Sequence, residues 1–88
     1  MSKAQKRLQK AKNNPKGWHF EELKRLYETF GFEVRSAKGS HHVATHDDLN
    51  LRLTFPSHSG ELPASYVTNA VEAIEILLRQ QGEQNESE

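Results

Sequence analysis

The sequence contains no cysteine, which excludes a disulfide framework and a thiolate metal site. It also lacks any apolar run near the ~20 residues of a membrane-spanning helix, and no signal-peptide core follows Met1. Hydrophobic residues make up only 34% of the 88 residues, so one small domain with a modest core is expected. These absences predict a cytoplasmic protein that does not enter a membrane.

The chain also has no formal net charge, because twelve Lys and Arg residues balance twelve Asp and Glu residues. The average conceals a division: residues 1–40 carry ten basic and four acidic side chains, whereas residues 41–88 carry two and eight. The first sixteen residues contain basic side chains and no acid. Such an arm can neutralise the phosphates of a nucleic acid, and the plainer interpretation is a solvated helix face. The basic residues of the arm are Lys3, Lys6, Arg7, Lys10, Lys12 and Lys16.

Helical spacing of apolar residues predicts a short basic helix and a longer helix after it. The arm at residues 1–17 contains good helix formers as far as Lys12, and an Asn-Asn-Pro-Lys-Gly run then breaks the pattern. From His19 to Phe30 the apolar residues again recur at helical spacing. Gly31 is expected to end this second helix in a left-handed conformation.

A third helix and a polar tail are expected at the C-terminal end. Pro63 suits a first helical turn, and an apolar stripe continues to about Gln80. Residues 81–88 are polar and acidic, so disorder is expected there. Residues 18–80 are therefore expected to form the folded domain.

Three short strands are expected between the two longer helices. Residues 32–35 alternate apolar and polar, residues 41–46 follow a turn, and residues 49–55 alternate with one apolar face. Short links between the strands predict an antiparallel sheet. The order α-β-β-β-α, with both helices on one face of the sheet, is an α+β two-layer sandwich. The residues expected to face the helices are Phe32, Val34, Val43, Leu51, Leu53 and Phe55.

Three of the five histidines lie within residues 41–46, directly behind a Gly-Ser turn. Histidine titrates near neutral pH and is the usual acid or base in proteins, so a catalytic site, a metal site and a polar strand are all consistent with the cluster. Strand alternation aims His41 toward the helices together with Val43, although the first strand position lets its ring project past a helix end. His42 and His46 are expected on the exposed face, about 13 Å apart, which is too far to chelate one metal ion.

Several features of the chain together match one known family. The first long helix ends in Gly31-Phe32, a strand opens with Lys-Gly-Ser-His-His at residues 38–42, and a Pro-Ser-His-Ser-Gly-Glu-Leu-Pro loop at residues 56–63 precedes the last helix. With the α-β-β-β-α order, these features resemble HicA-type toxins, the small ribonucleases of HicA–HicB toxin–antitoxin pairs. The resemblance covers about residues 20–78.

This resemblance implies a fold similar to double-stranded-RNA-binding domains and cleavage of messenger RNA by one essential histidine, which falls on His41. The loop histidine of relatives falls on His58. A small acidic HicB-type antitoxin that covers the essential histidine is also implied. We expect chemistry without a metal or cofactor, in which His41 exchanges a proton with the RNA 2′-hydroxyl or the departing 5′-oxygen.

Positive side chains near the histidine turn are expected to bind the RNA backbone. Lys38 and Arg35 flank the turn, and Arg52 lies on the polar face of the third strand. Ser40 is expected to hydrogen-bond a phosphate, and the plainer interpretation is that it serves the turn. The last helix begins without Lys or Arg, which disfavours duplex RNA and favours a single-stranded substrate. The basic arm is expected to extend this phosphate-binding rim through Lys3, Lys6, Arg7 and Lys10.

Simpler interpretations compete with these functional ones. His58 precedes a helix N-terminus that favours an anionic phosphate, but it also fits a solvent-exposed loop histidine. Trp18 is expected to be a packing anchor rather than a base-stacking platform. The neutral charge, and Ala44 where relatives often carry a large aromatic residue, favour a non-catalytic RNA- or protein-binding module of the same fold. A third alternative is a domain that binds only protein through its acidic last helix.

Overall fold

The computed structural model describes residues 3–57 and 60–86, and these residues form three helices and one three-stranded antiparallel sheet. The central strand is β2, with β1 and β3 at the edges. This arrangement confirms the α+β class and the α-β-β-β-α order that follows the N-terminal helix. In chain order the elements are α1 (Lys3–Asn13), α2 (Phe20–Thr29), β1 (Glu33–Ser36), β2 (His41–Thr45), β3 (Leu53–Pro56) and α3 (Ala64–Glu86).

The C-terminal end of α2 turns the chain directly into the sheet. Gly31 has a φ of 88° and donates its N–H to the carbonyl of Glu28, while the N–H of Phe32 donates to the carbonyl of Tyr27. This pair of bonds is the Schellman motif, whose left-handed residue is most often glycine. The rings of Tyr27 and Phe32 lie 5.2 Å apart, which supplies the apolar contact that accompanies the motif. The predicted left-handed glycine is confirmed.

The core lies between the sheet and the helices α2 and α3, which contact β1 and β3 respectively. The N-terminal helix α1 belongs to this packing, because its Leu8 and Ala11 are buried and it contacts both other helices. Trp18 is 5% exposed and donates its indole N–H to the carbonyl of Asn14 at 2.9 Å, as expected of a packing anchor. None of the helices in the described ranges has the length and apolarity needed to cross a bilayer.

The two faces of β2 are the reverse of those predicted. Ala44 is fully buried and lies opposite Val34 on β1 and Leu53 on β3, so this row faces the helices. Val43 lies opposite Arg35 in the next row and therefore faces away from them. The prediction that Val43 faces the helices was wrong.

Packing above the centre of the sheet explains this reversal. The Tyr27 ring from α2 and the Phe55 ring from β3 lie 5.4 Å apart and are both fully buried. Large rings over the middle of a sheet leave room for a small side chain beneath them, and overpacking that space is destabilising. Ala44 fits there, whereas the larger Val43 is accommodated on the other face.

Strand β3 is shorter than predicted because β2 ends in a turn. The backbone N–H of Asp48 donates to Nδ1 of His46 at 2.9 Å, and the N–H of Leu49 donates to the carbonyl of His46 at 3.1 Å. Pairing with β2 begins only at Leu53. Leu51 therefore lies outside the strand and is 42% exposed, so its predicted place in the core was wrong.

Helix α3 continues to Glu86, beyond its predicted end at Gln80. Much of the segment expected to be disordered is thus helical. Gln and Glu are good helix formers, and Gly82 is the residue of this stretch that disfavours a helix most, at about 1 kcal/mol relative to alanine.

Candidate functional site

A tight turn presents His41 at the first position of β2. The N–H of His41 donates to the carbonyl of Lys38 at 3.1 Å, and the N–H of Ala37 donates to the carbonyl of His41 at 2.8 Å. Gly39 has a φ of 62° at the first central position of this turn. A positive φ there is typical of type II′ hairpin turns and favours glycine. The predicted turn is therefore present, and it fixes the backbone of His41.

The His41 side chain is exposed on the face of the sheet that none of the described helices covers, which we call the open face. Successive strand residues alternate between faces, so the burial of Ala44 places His41 with Val43 and Thr45 on the open face. The predicted alternation toward the helices was wrong for His41. An imidazole in this position can meet a ligand from solvent without a change in the fold.

His42 lies on the opposite face and packs against aromatic rings of α2 and β3. Its ring centroid is 4.6 Å from that of Phe20 at the start of α2 and 6.3 Å from that of Phe55. Its Nδ1 is buried and has no hydrogen-bond partner among the described residues. The prediction of an exposed His42 was wrong, because the ring joins β2 to α2 by aromatic packing.

His46 is also directed toward the helices, contrary to the prediction of an exposed side chain. Its ring meets the edge of the Phe32 ring at 5.1 Å, and its Nδ1 accepts the N–H of Asp48. The three clustered histidines therefore occupy different environments, and of these three only His41 is exposed. Within the described ranges, no group of three His, Asp or Glu side chains is placed to hold a metal ion.

The segment after β3 is hydrogen-bonded to the His41 turn at its start and to the residues before α2 at its end. Ser57 donates both its backbone N–H, at 2.7 Å, and its hydroxyl, at 2.9 Å, to the carbonyl of Ser40. At the far end, Leu62 donates its N–H to the carbonyl of Trp18 at 2.7 Å. His58, the second predicted catalytic residue, lies outside the described residues. Its chain neighbour Ser57 is nonetheless fixed beside the residue that precedes His41.

The predicted cations of the sheet lie on or beside the open face. Arg35 on β1 is directly opposite Val43, which lies two residues after His41 on β2. Nη2 of Arg35 lies 3.0 Å from Oε2 of Glu33. Lys38 and Ser40 are exposed in the turn itself. A shallow depression of about 330 Å³ occupies part of this face. Its lining residues are Glu33, Arg35, Ser36, Ala37, Val43, Thr45 and Arg52.

The predicted cations of the N-terminal arm lie elsewhere. Helix α1 packs on α2 and α3, in the layer on the other side of the sheet from the open face. With α2 it forms a cavity of about 400 Å³, which we call the α1–α2 groove. The two groups of cations thus line separate surfaces instead of one rim. The groove is lined by Lys3, Lys6, Arg7, Lys10, Trp18, Glu22 and Arg25.

Sequence reasoning missed three residues that shape these surfaces. Arg25 lines the groove, and a signal was available, because Trp18, Glu22 and Arg25 recur at the helical spacing of one face. Phe20 was recognised as apolar but not as the partner of His42. Ser57 carried no local signal, since its bonds reach back 17 residues.

Comparison with known proteins adds one finding. A family model described as the HicA toxin of bacterial toxin–antitoxin systems matches residues 20–82. No curated protein and no solved structure matches the chain. The matched region runs from the first residue of α2 into the second half of α3, and it leaves α1 outside.

Proposed function

Because the chain belongs to the HicA toxin family of bacterial toxin–antitoxin systems, we propose that it is an endoribonuclease that cleaves messenger RNA with His41 as its acid/base residue. One observation carries this proposal: within the histidine cluster, His41 is exposed, and it stands on a hydrogen-bonded turn at the open face. General acid or base catalysis requires a proton-transfer group that can reach the reacting atom.

The reaction is a transesterification followed by loss of the leaving strand. His41 removes the proton of an RNA 2′-hydroxyl, whose oxygen attacks the adjacent phosphorus. The bond from phosphorus to the 5′-oxygen breaks, and a 2′,3′-cyclic phosphate forms. The departing 5′-oxygen takes a proton, for which His58 is the proposed donor. The bonds from Ser57 to the carbonyl of Ser40 support this role, because they hold one end of the His58 loop at the His41 turn.

The scissile phosphate needs positive charge beside the imidazole. Lys38 and Ser40 stand in the turn that carries His41, and both are exposed. Arg35 and Arg52 line the depression on the same face of the sheet. We assign these side chains to the RNA backbone, where they hold phosphates by charge and hydrogen bonds without reading sequence.

Single-stranded RNA fits this surface better than a duplex. In domains that bind double-stranded RNA, contacts extend over about 16 base pairs and include the phosphates across the RNA major groove. Helix α3 opens with Ala64, Ser65 and Tyr66, and it offers no cation in its first turn. A flexible strand can instead place one ribose at His41 with a few backbone contacts.

A toxin of this family has a cognate antitoxin as its partner. We propose an antitoxin of the HicB type that inhibits by covering the open face around His41. The open face suits this role, because no helix within residues 3–57 and 60–86 covers it. An antitoxin seated there would exclude RNA from the imidazole.

The test is cleavage of single-stranded RNA in EDTA by the purified protein and its His41→Ala variant. Loss of a positioned proton-transfer group should lower turnover by about 10²–10⁴-fold while the fold is retained. His19→Asn is the matched control, since His19 is also an exposed histidine and asparagine suits its position before α2.

Three outcomes are informative. Cleavage that survives in His19→Asn and is lost in His41→Ala supports the proposal. Equal cleavage by the wild type and His41→Ala contradicts it. RNA binding without cleavage by the wild type would instead identify a non-catalytic binding module of the same fold.

A further inference from the structure

We propose that the α1–α2 groove is a second binding site for the phosphodiester backbone of RNA, separate from the cleavage centre. This inference rests on the proposed function only in taking RNA as the ligand. The groove holds five positive side chains and one carboxylate, a formal surplus of four positive charges in about 400 Å³. Like charges gathered in one cavity favour a polyanionic ligand. The positive side chains are Lys3, Lys6, Arg7, Lys10 and Arg25.

The two helices are held so that their cations converge. Arg7 on α1 donates from Nη1 to Oγ1 of Thr29 near the end of α2, at 3.1 Å. At the other end, the indole N–H of Trp18 donates to the carbonyl of Asn14. The middle of α1 is therefore joined to the last residue of α2, and the link between the two helices is held close to the end of α1.

Most of the groove cations are free to bind a ligand. On the far side of α1, Lys12 is paired with Glu75 of α3 at 2.7 Å, so it is already compensated. Glu22, the one acid of the groove, accepts the backbone N–H of His19. In the described part of the chain no salt bridge is formed by Lys3, Lys6, Lys10 or Arg25.

The spacing of these cations suits a nucleic acid strand. Lys3 and Lys10 are seven residues apart on one helix, which separates them by about 10 Å at 1.5 Å per residue. A row about 10 Å long can meet more than one phosphate of a single strand. Trp18 is only 5% exposed, which leaves charge rather than base stacking as the basis of binding.

The location of the groove separates its role from that of His41. It lies in the helix layer, whereas His41 lies on the open face. Helix α1 also falls outside the region matched by the family model. The groove therefore acts as an added anchor for a strand that extends past the cleavage centre, and it contributes affinity without touching the reacting atoms.

The test measures binding in a His41→Ala background, so that the RNA stays intact. A fluorescein-labelled single-stranded RNA is titrated with protein at several salt concentrations, and anisotropy gives the dissociation constant. The groove variant is Lys6→Gln/Arg25→Gln. The control is Lys16→Gln/Lys24→Gln, which removes the same charge from the same part of the chain but from residues that do not line the groove.

Each lost phosphate contact should reduce the slope of log affinity against log salt by about 0.7 for a single strand. The groove variant should therefore lose about 1.4 from the slope and roughly 25-fold in affinity at about 0.1 M salt. The control should lose much less. Inorganic phosphate is then titrated into the protein–RNA complex. If it fails to displace the RNA at millimolar concentration, the groove prefers the polymer.

The outcomes also separate this inference from the proposed ribonuclease. Groove-dependent RNA binding in the His41→Ala background, together with a wild-type protein that never cleaves RNA, supports the groove and contradicts the enzyme. Equal affinities and slopes for the groove and control variants, together with RNA cleavage by the wild-type protein, overturn the groove and leave the enzyme standing. A parent protein that binds no RNA at low salt overturns both.

Discussion

His41 and His42 are adjacent in the chain and have opposite environments. His41 is exposed, whereas His42 packs on Phe20, lies near Phe55 and buries its Nδ1 without a partner among the described residues. A buried polar atom that lacks a hydrogen bond costs about 1–3 kcal/mol. Packing of the His42 ring therefore stabilises the fold, and the cost of burying its Nδ1 cancels part of that stabilisation.

Replacing His42 by phenylalanine should stabilise the protein. The His42→Phe variant keeps an aromatic ring against Phe20 and Phe55 and removes the buried nitrogen, so the free energy of unfolding should rise by about 1 kcal/mol. Urea unfolding at neutral pH measures the difference.

The variant His42→Ala is the comparison for this experiment. It also removes the nitrogen, but it leaves a cavity beside the two phenylalanine rings and should lower stability by about 2–3 kcal/mol. If His42→Phe proves less stable than the wild type by more than about 1 kcal/mol, the nitrogen has a partner and the interpretation of His42 is mistaken.

At the scale of elements, α1 is held by burial more than by its charges. Leu8 is 9% exposed and Ala11 is fully buried against the other helices. The ion pair of Lys12 with Glu75 is partly exposed, and such pairs typically contribute about 0–1 kcal/mol. Burial of a leucine side chain contributes more, about 1.5–3 kcal/mol.

A pair of leucine variants tests this assignment of α1. Leu8→Ala should lower the free energy of unfolding by about 2–3 kcal/mol, because it opens a cavity between α1 and its neighbours. Leu51→Ala is the matched control, since Leu51 is 42% exposed, and it should cost less than about 0.5 kcal/mol. Thermal or urea unfolding of both variants gives the comparison. Equal losses would mean that α1 does not pack on the domain or that Leu51 belongs to the core.

The order and type of the elements could be predicted from periodicity, but the faces of β2 could not. Apolar spacing identified α2 and the start of α3, and Gly31 marked the end of α2. In β2 the alternation offered Val43 as the larger apolar residue, whereas rings from other elements decided that Ala44 faces inward. Strand orientation in a polar segment is set by tertiary packing, which a local pattern does not contain.

At the scale of the whole molecule, the candidate site combines local and distant contributions. The turn that carries His41 follows from a local glycine signal, and the sequence predicted it. The bonds from Ser57 to Ser40, and the convergence of Arg25 with the cations of α1, depend on segments that meet only in the folded chain. The excess of positive charge in residues 1–40 was visible, but its division between two surfaces was not.

Tyr27 couples the stability of the whole domain to alkaline pH. Its side chain contacts the rings of Phe32 and Phe55 where α2 meets the sheet, and burial raises the pKa of its phenol above the ordinary value. In the unfolded chain the phenol ionises near pH 10, whereas the folded protein retains the proton there. The folded state then binds more protons than the unfolded state, so stability must fall as pH rises.

The sign of this linkage gives a prediction for the pH dependence of unfolding. The contribution of Tyr27 is fully present below about pH 10 and should decline by about 1.4 kcal/mol for each further pH unit until the folded phenol itself ionises. Urea unfolding between about pH 9 and 11 measures the decline. In Tyr27→Phe the free energy of unfolding should decline less with pH, because one ionisable phenol has been removed. In Tyr66→Phe the full decline should remain, because Tyr27 is intact. The same steep decline in Tyr27→Phe as in the wild type would show that another group is responsible.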